Sequence, residues 1–221
     1  MYVPELYREP DEESLFELIE GYPFGLLVTG TTPLGATHLP FVLEREKKVI
    51  RAHLAQANPM VETLRRGEEV LVVFQGPYSY ISPHWYATKS HLPTWLYSAV
   101  HVYGTPRLLD EEALWEQMVT LIAEQEAACG EASPWRLESM PTELIERLAS
   151  MVVGVEIRGE RWEGCFKLNQ HKSAPDMARL EEVLRSSEQS LRHELASLIE
   201  ICESRTDPAI ATAYRRKYGL E

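Results

Sequence analysis

The sequence has 221 residues, of which 44% are hydrophobic, so the chain can bury a full core without disulfides or a structural metal. Its 34 acidic and 22 basic side chains give a formal net charge of −12, which opposes the phosphate neutralisation on which most duplex-DNA binders depend. Apolar runs of about 18 residues and a signal-like N-terminus are missing, so we expect a cytoplasmic protein, neither membrane-spanning nor exported.

Motifs of covalent or metal chemistry are also missing from the sequence. Cys129, Cys165 and Cys202 lie far apart without metal-ligand spacing, which favours three free thiols in a reducing compartment. The seven histidines are scattered, and no hydrolase, nucleotide-binding or zinc-protease motif occurs. We therefore predict no catalytic and no metal-ligating residue.

The first half of the chain predicts a helix followed by an antiparallel meander. Asp11 can cap a helix through Ile19, whose apolar residues share one face. Turn-rich segments such as 30–35 and 44–48 separate the strand-like runs that follow. These runs cover residues 24–29, 36–43, 49–54, 70–75 and 95–109.

One short helix, at residues 60–66, interrupts the strands. Asn58 offers a capping side chain, Pro59 suits the first helical position, and Gly67 follows the last one. Further helices are predicted at 110–128 and 141–149, with strand-like runs at 152–157 and 162–168.

From residue 174 onwards the sequence is rich in helix formers and has no strand signal. Its leucines recur near helical spacing, which predicts amphipathic helices that pack on the rest of the chain, or else face solvent or a partner. We therefore predict one main domain at residues 1–173 and a helical C-terminal extension at residues 174–221.

Two segments combine strand patterns with polar residues that a plain strand does not need. Residues 36–41 contain His38 and Pro40, and proline cannot donate in a central ladder, so this run is an edge strand or faces a flat cofactor. For His38 a purely structural role is equally favoured. Residues 51–59 run from a strand into a capped helix start, a geometry that binds phosphate but that also arises from simple capping.

Aromatic residues and prolines are concentrated at residues 73–86 and 92–97. Such a density is unusual in a connecting loop and indicates a platform for a planar ligand, a dimer interface, or both. We expect a second subunit to cover four of these side chains. They are Trp85, Tyr86, Trp95 and Tyr97.

Together these segments resemble the PaiB family, whose members are described as negative transcriptional regulators. The resemblance covers residues 1 to about 173 in an unbroken order of motifs. They are Met1-Tyr2-x-Pro4, Ala36-Thr37-His38-Leu39-Pro40, His53-Leu54-Ala55-x-Ala57-Asn58-Pro59, Phe74-Gln75-Gly76-Pro77 with Tyr80-Ile81-Ser82-Pro83-x-Trp85-Tyr86, Pro93-Thr94-Trp95, Val100-His101-Val102-Tyr103-Gly104 and Phe166-Lys167-Leu168-x-Gln170.

The resemblance implies an antiparallel FMN-binding split β-barrel, mainly β with flanking helices, that forms a homodimer with flavin between its subunits. It places the flavin phosphate at residues 53–58 and the flavin ring beside residues 37–40. The predicted cofactor-binding residues are Thr37, His38, Leu39, Pro40, His53, Ala55, Gln56, Asn58, Ser82, Trp85, Trp95, Lys167 and Gln170.

Gln56 departs from the pattern, because the resemblance leads us to expect an arginine there. The missing charge-assisted contact is worth about 1.5–3 kcal/mol. Lys167, Lys172 or Arg51 could compensate, and Lys167 is our first choice because it follows the last barrel strand.

Three functions compete at this point. The first is a flavin-binding repressor, although no helix-turn-helix is visible and the charge predicts only weak direct DNA binding. The second is an FMN-dependent oxidoreductase, similar to flavin reductase or pyridoxine phosphate oxidase, in which the flavin carries the electron chemistry. The third is a dimeric scaffold without cofactor.

Overall fold

The strand-forming runs pair into one antiparallel eight-stranded sheet in the computed structural model, which describes residues 1–30 and 34–219. Along the sheet the strand order is β3-β2-β6-β7-β8-β5-β4, and β1 pairs with β8. The strands are β1 (Arg8–Glu9), β2 (Phe24–Thr29), β3 (Gly35–Pro40), β4 (Val42–Glu44), β5 (Val49–Ala55), β6 (Val70–Ile81), β7 (Thr94–Leu108) and β8 (Val152–Lys167).

Helices flank this sheet, and they account for 41% of the residues against 31% in strands, so the α+β description fits the chain. The helices are α1 (Glu12–Gly21), α2 (Met60–Arg65), α3 (Glu111–Cys129), α4 (Thr142–Ala149), α5 (Ala174–Arg185), α6 (Ser190–Glu203) and α7 (Pro208–Tyr218). Three short 3-10 turns lie at Glu5–Tyr7, Pro83–Trp85 and Leu137–Ser139. No helix in the described ranges is long and apolar enough to cross a bilayer.

The chain forms two compact units. Unit 1 comprises Met1–Leu15, Gln75–Val100 and Glu163–Glu221, and unit 2 comprises Phe16–Phe74 and His101–Trp162. Strands β6, β7 and β8 contribute residues to both. The division at residue 173 remains a prediction.

Unit 2 holds a tightly packed sheet core. Phe41 and Phe74 meet edge-on with ring centroids 5.4 Å apart, and both side chains are buried. At Gly104 the backbone of Arg158 approaches so closely that an added Cβ would lie 2.0 Å from its carbonyl oxygen. Only glycine fits at this position.

Unit 1 contains the helical C-terminal tail, whose apolar face is buried. Leu180 and Leu184 of α5 and Leu195 of α6 are fully buried, as the helical spacing predicts. In α7, Tyr214 packs on Tyr7 with ring centroids 5.6 Å apart. Of the alternatives that the sequence left open, packing within the chain is the one observed.

The short helix α2 begins at Met60, as the predicted range 60–66 does, and ends at Arg65, one residue earlier than predicted. Pro59 precedes its first residue, and the side-chain oxygen of Asn58 accepts the Met60 N–H at 3.0 Å. Gly67 beyond its end has φ +66°, the left-handed conformation that glycine adopts without strain.

Three strand boundaries predicted from the sequence were wrong. The run 36–43 divides into β3 and β4, because β3 pairs with β2 whereas β4 pairs with β5. Residues 152–157 and 162–168 belong to the single strand β8, and β6 continues to Ile81 into the segment taken for an aromatic loop. Residues 31–33 of the predicted turn lie outside the described residues.

Candidate functional site

The thirteen predicted cofactor residues belong to both units. Unit 2 holds Thr37, His38, Leu39, Pro40, His53, Ala55, Gln56 and Asn58. Unit 1 holds Ser82, Trp85, Trp95, Lys167 and Gln170.

In unit 2, strand β3 presents an open edge. It lies at one end of the strand order and hydrogen bonds only to β2 among the strands of the described chain. Along an antiparallel strand, the N–H and C=O of every second residue bond to the neighbouring strand, and those of the residues in between point away from it. The Phe41 N–H donates to the Pro23 carbonyl at 2.9 Å, so the odd-numbered residues of this run bond to β2. The N–H and C=O groups of Ala36 and His38 therefore point away from β2.

The side chains of β3 differ in their exposure and in the residues that they contact. The Thr37 hydroxyl accepts a 3.2 Å hydrogen bond from the Asn58 amide, which ties the strand to the start of α2. His38 is exposed and stacks on Phe24 at a centroid distance of 5.8 Å. Leu39 is buried in the core and its backbone groups face β2, so its contact with a cofactor remains a prediction.

The junction between β5 and α2 is capped rather than open. Pro59 has no N–H, and four neighbouring backbone N–H groups already donate within the chain. They are those of Gln56, Asn58, Met60 and Val61. Simple capping therefore accounts for these four donors, which are not the unpaired N–H groups expected at this helix start, and the phosphate position at residues 53–58 remains a prediction.

His53 is held by a side chain that sequence reasoning missed. Its Nδ1 lies 2.9 Å from the Oε1 of Gln117, and the Gln117 amide nitrogen has no hydrogen-bond partner in the described part of the chain. Gln117 is buried on α3 between Leu114 and Leu121. A polar residue at apolar helical spacing was the signal that could have revealed it.

Arg51 is not available as the compensating cation. Its guanidinium lies 2.8 Å from a carboxylate oxygen of Glu156 and 3.3 Å from one of Glu44. Burial would raise the pKa of Glu156, but the hydrogen bonds from Arg107 and Arg51 outweigh it and lower that pKa. Arg51 is thus committed to an ion-pair network.

In unit 1, Lys167 is half-buried at the end of β8. Its ammonium donates to the Thr94 hydroxyl at 3.0 Å and has no carboxylate partner among residues 1–30 and 34–219. Lys172, the other candidate, lies 2.9 Å from the Nδ1 of His91, and burial lowers its pKa. Lys167 is therefore the better-placed cation for an anionic ligand.

Two other predicted contacts in unit 1 are engaged in local structure. The Ser82 hydroxyl accepts the His84 N–H at 3.3 Å and caps a 3-10 turn. The Gln170 amide accepts the Leu168 N–H at 2.9 Å and donates to the Phe166 carbonyl at 2.5 Å. Their contact with a cofactor remains a prediction.

The aromatic residues of unit 1 fall into buried and exposed sets. Tyr86 is buried within its own chain, where its hydroxyl accepts a 2.7 Å hydrogen bond from Asn169, so the expectation that a second subunit covers it was wrong. Trp85 is half-buried beneath Arg192, 4.9 Å from the ring centroid. Tyr78, Tyr80 and Trp95 form an exposed aromatic patch, with Trp95 54% exposed.

A buried polar cluster in unit 1 also escaped the sequence analysis. Asp176 accepts hydrogen bonds from the Thr88 N–H at 2.8 Å and the Ser173 hydroxyl at 2.7 Å, and His91 Nε2 lies 3.2 Å away. Burial would raise the pKa of Asp176, but these hydrogen bonds and His91 outweigh it and lower it to about 2. This Asp176 cluster ties α5 to the loop that precedes β7.

The cysteines are free thiols. Burial raises the pKa of Cys165 and raises that of Cys202 to about 12, so both are protonated near neutral pH. The described residues contain no group of three or more His, Cys, Asp or Glu side chains that could hold a metal ion.

Comparison with known proteins places these features in a family. Residues 1–161 match the profile of a family described as "Putative FMN-binding domain". The chain is 32% identical to "Protease synthase and sporulation protein PAI 2" of Bacillus subtilis (strain 168) over 205 residues, which are 90% of this chain and 97% of that protein.

Two solved structures share the fold at low identity. The flavocytochrome Anf3 of Azotobacter vinelandii superposes with a TM-score of 0.54 at 10% identity, over 76% of this chain and 71% of that one. The FAD and heme binding protein of Mycobacterium smegmatis gives 0.53 at 14% identity, over 77% and 76%. The predicted fold class, a split β-barrel with flanking helices, is confirmed.

Proposed function

The chain belongs to this FMN-binding domain family, and we propose on that premise that it binds FMN and acts as a flavin-dependent regulatory protein of the PaiB type. The regulatory half of the proposal is supported by the 32% identity to a protein named for protease synthesis and sporulation. An FMN-dependent oxidoreductase of the flavin reductase or pyridoxine phosphate oxidase type is the alternative.

The open edge of β3 is the observation that supports flavin binding most directly. An isoalloxazine ring carries hydrogen-bond acceptors and one N–H donor along its pyrimidine edge. The outward N–H and C=O groups of Ala36 and His38 offer matching partners, and the bond between Asn58 and Thr37 holds the strand in place. The ring end of the cofactor therefore fits the residues present.

The phosphate end fits the cap of α2 poorly, because four of the backbone donors there are already paired. We propose Lys167 as the phosphate's cation, since its ammonium has only a hydroxyl partner in the chain as described. When bound, FMN would supply the one- or two-electron chemistry, and the protein would supply hydrogen bonds and charge.

Purified protein incubated with FMN and then desalted is expected to keep a flavin absorbance band at about one FMN per chain. Riboflavin treated in the same way should be retained less, because it has no phosphate for a cation to hold. Protein that retains neither flavin would contradict the proposal and favour a scaffold without cofactor. Rapid oxidation of NADH or NADPH by the loaded protein would favour the enzyme over the regulator.

We further propose that the protein is a homodimer. The aromatic patch of Tyr78, Tyr80 and Trp95 leaves 43–54% of each residue exposed, and contiguous aromatic surface of this kind marks interfaces. Light scattering at micromolar concentration is expected to give twice the chain mass of 25.3 kDa. The double variant Tyr80→Ser/Trp95→Ser should shift the protein toward monomer, and a wild-type monomer would contradict the assignment.

Direct DNA binding has little support in the charges of the chain. Net charge is −12, and the basic cluster Arg215-Arg216-Lys217 occupies only the last turn of α7. We propose that regulation, where it occurs, acts through a partner or a locally basic dimer face in the cytoplasm.

A further inference from the structure

A groove of about 1030 Å³ lies in unit 2 and shares no residue with the proposed flavin contacts. Helices α3 and α4, the end of β7 and the start of β8 line it. Its volume lies at the upper end of the range for small-molecule pockets.

The two helices present an apolar face to this groove. On each, the lining residues recur at intervals of three and four, which is one face of an α-helix. The large apolar side chains that the two helices contribute are Leu114, Trp115, Met118 and Ile145, and Leu108, Leu109 and Met140 add to the lining from outside the helices. Trp115 is 38% exposed, and methionine side chains adapt to ligands of varied shape.

Every charged residue that lines the groove is acidic. Asp110 caps α3 by accepting the Ala113 N–H at 2.9 Å. The other four are exposed glutamates without an ion-pair partner among the residues that the structure describes. They are Glu111, Glu112, Glu138 and Glu146.

The helix dipole accounts for the placement of only some of these acidic residues. Glu111 and Glu112 lie in the first turn of α3, where the dipole favours carboxylates. Glu146 lies in the second half of α4 and Glu138 in a 3-10 turn, where no long helix offers that compensation. Residues 108–154 contain ten acidic and only two basic side chains, so the electrostatic potential at the groove is negative and favours a cationic ligand.

We propose that this groove binds a lipophilic organic cation, with the apolar body between α3 and α4 and the positive charge beside Trp115 and the unpaired glutamates. The tryptophan face adds a cation–π contact to the charge attraction. Small anions and nucleic acid are repelled by the same carboxylates. The flavin proposal can fail without affecting this one, because no residue and no charge requirement is shared.

Tetraphenylphosphonium and tetraphenylborate test the proposal, since the two ions have nearly the same size and apolar surface but opposite charge. Calorimetric titration of the full chain, with and without FMN, is expected to show one tetraphenylphosphonium per chain, bound at least about tenfold more tightly than tetraphenylborate. Trp115→Ala should weaken tetraphenylphosphonium about tenfold.

The charge contribution is tested by Glu138→Gln/Glu146→Gln, which should weaken tetraphenylphosphonium about fivefold at low salt and less at high salt. The matched control is Glu131→Gln/Glu143→Gln, which removes two exposed glutamates that do not line the groove and should leave affinity unchanged. Thermal unfolding verifies that each variant is folded.

Equal affinities for the two ions, or equal effects of the two double variants, would overturn the proposal. Tight binding of a basic amphipathic peptide without binding of tetraphenylphosphonium would also overturn it, in favour of a protein partner.

Discussion

Replacing Lys167 with alanine is expected to weaken FMN binding by about ten- to hundredfold and to leave riboflavin binding nearly unchanged. A hydrogen bond to a charged group is worth about 1.5–3 kcal/mol, and only FMN carries the phosphate that the ammonium would hold. Among residues 1–30 and 34–219, that ammonium donates to Thr94 and has no carboxylate partner, so it can bind an anion. Quenching of flavin fluorescence on titration with apoprotein measures both affinities.

Lys89→Ala is the matched control, because Lys89 is an exposed lysine of the same unit and should affect neither flavin. Lys167→Arg should restore most FMN affinity, since a cation is kept. Gln56→Arg tests the predicted phosphate position at residues 53–58: Gln56 is exposed, so the new guanidinium has room, and FMN is expected to bind several-fold more tightly. A Lys167→Ala variant that loses FMN and riboflavin equally would assign the lysine a structural role.

Replacing Asp176 with alanine is expected to lower the free energy of unfolding by about 3 kcal/mol. The substitution leaves the Thr88 N–H and the Ser173 hydroxyl without their acceptor in a buried place, and His91 Nε2 loses its hydrogen-bond partner. Denaturant unfolding followed by circular dichroism measures the loss. Asp207→Asn is the matched control, since Asp207 caps α7 at an exposed site and asparagine caps equally well.

The Asp176 contribution should also depend on pH. The pKa of its carboxyl is about 2 in the folded chain, below the usual aspartate value of about 3.9. Its charge therefore stabilises the fold fully above about pH 4, and this contribution is lost as the pH falls from about 4 to about 2. The difference in unfolding free energy between wild type and Asp176→Asn is expected to shrink over that window, and a constant difference would exclude the charge as its cause.

Local sequence signals were sufficient for much of the fold. The Asn58, Pro59 and Gly67 pattern located α2 to within one residue, and the leucine spacing identified the buried face of the tail. Alternation and turn residues located the strands, but a change of pairing partner from β2 to β5 divided one run, and β6 extended into the aromatic segment. These strand ends depend on which neighbour is available to pair, which no local signal contains.

The site was less predictable, because its contacts join distant parts of the chain. Thr88 and Asp176 are 88 positions apart, and His53 meets Gln117 across 64. Composition predicted that the aromatic segments form a ligand platform or a dimer interface, yet it could not distinguish buried Tyr86 from exposed Trp95. The sequence pattern at Asn58 correctly predicted a capped helix start. The hydrogen bonds of this cap use backbone N–H groups that a phosphate would otherwise bind.

The open edge of β3 has a consequence for the solubility of the apoprotein. An unpaired strand edge is a template on which another chain can add a strand, the first step of aggregation. Pro40 hinders strand addition at one end of this edge because it has no N–H to donate. The strand is also short, since it spans only Gly35–Pro40. A flavin ring bound along the remaining residues would cover the same groups, so protein stripped of cofactor should aggregate more readily than protein that retains it.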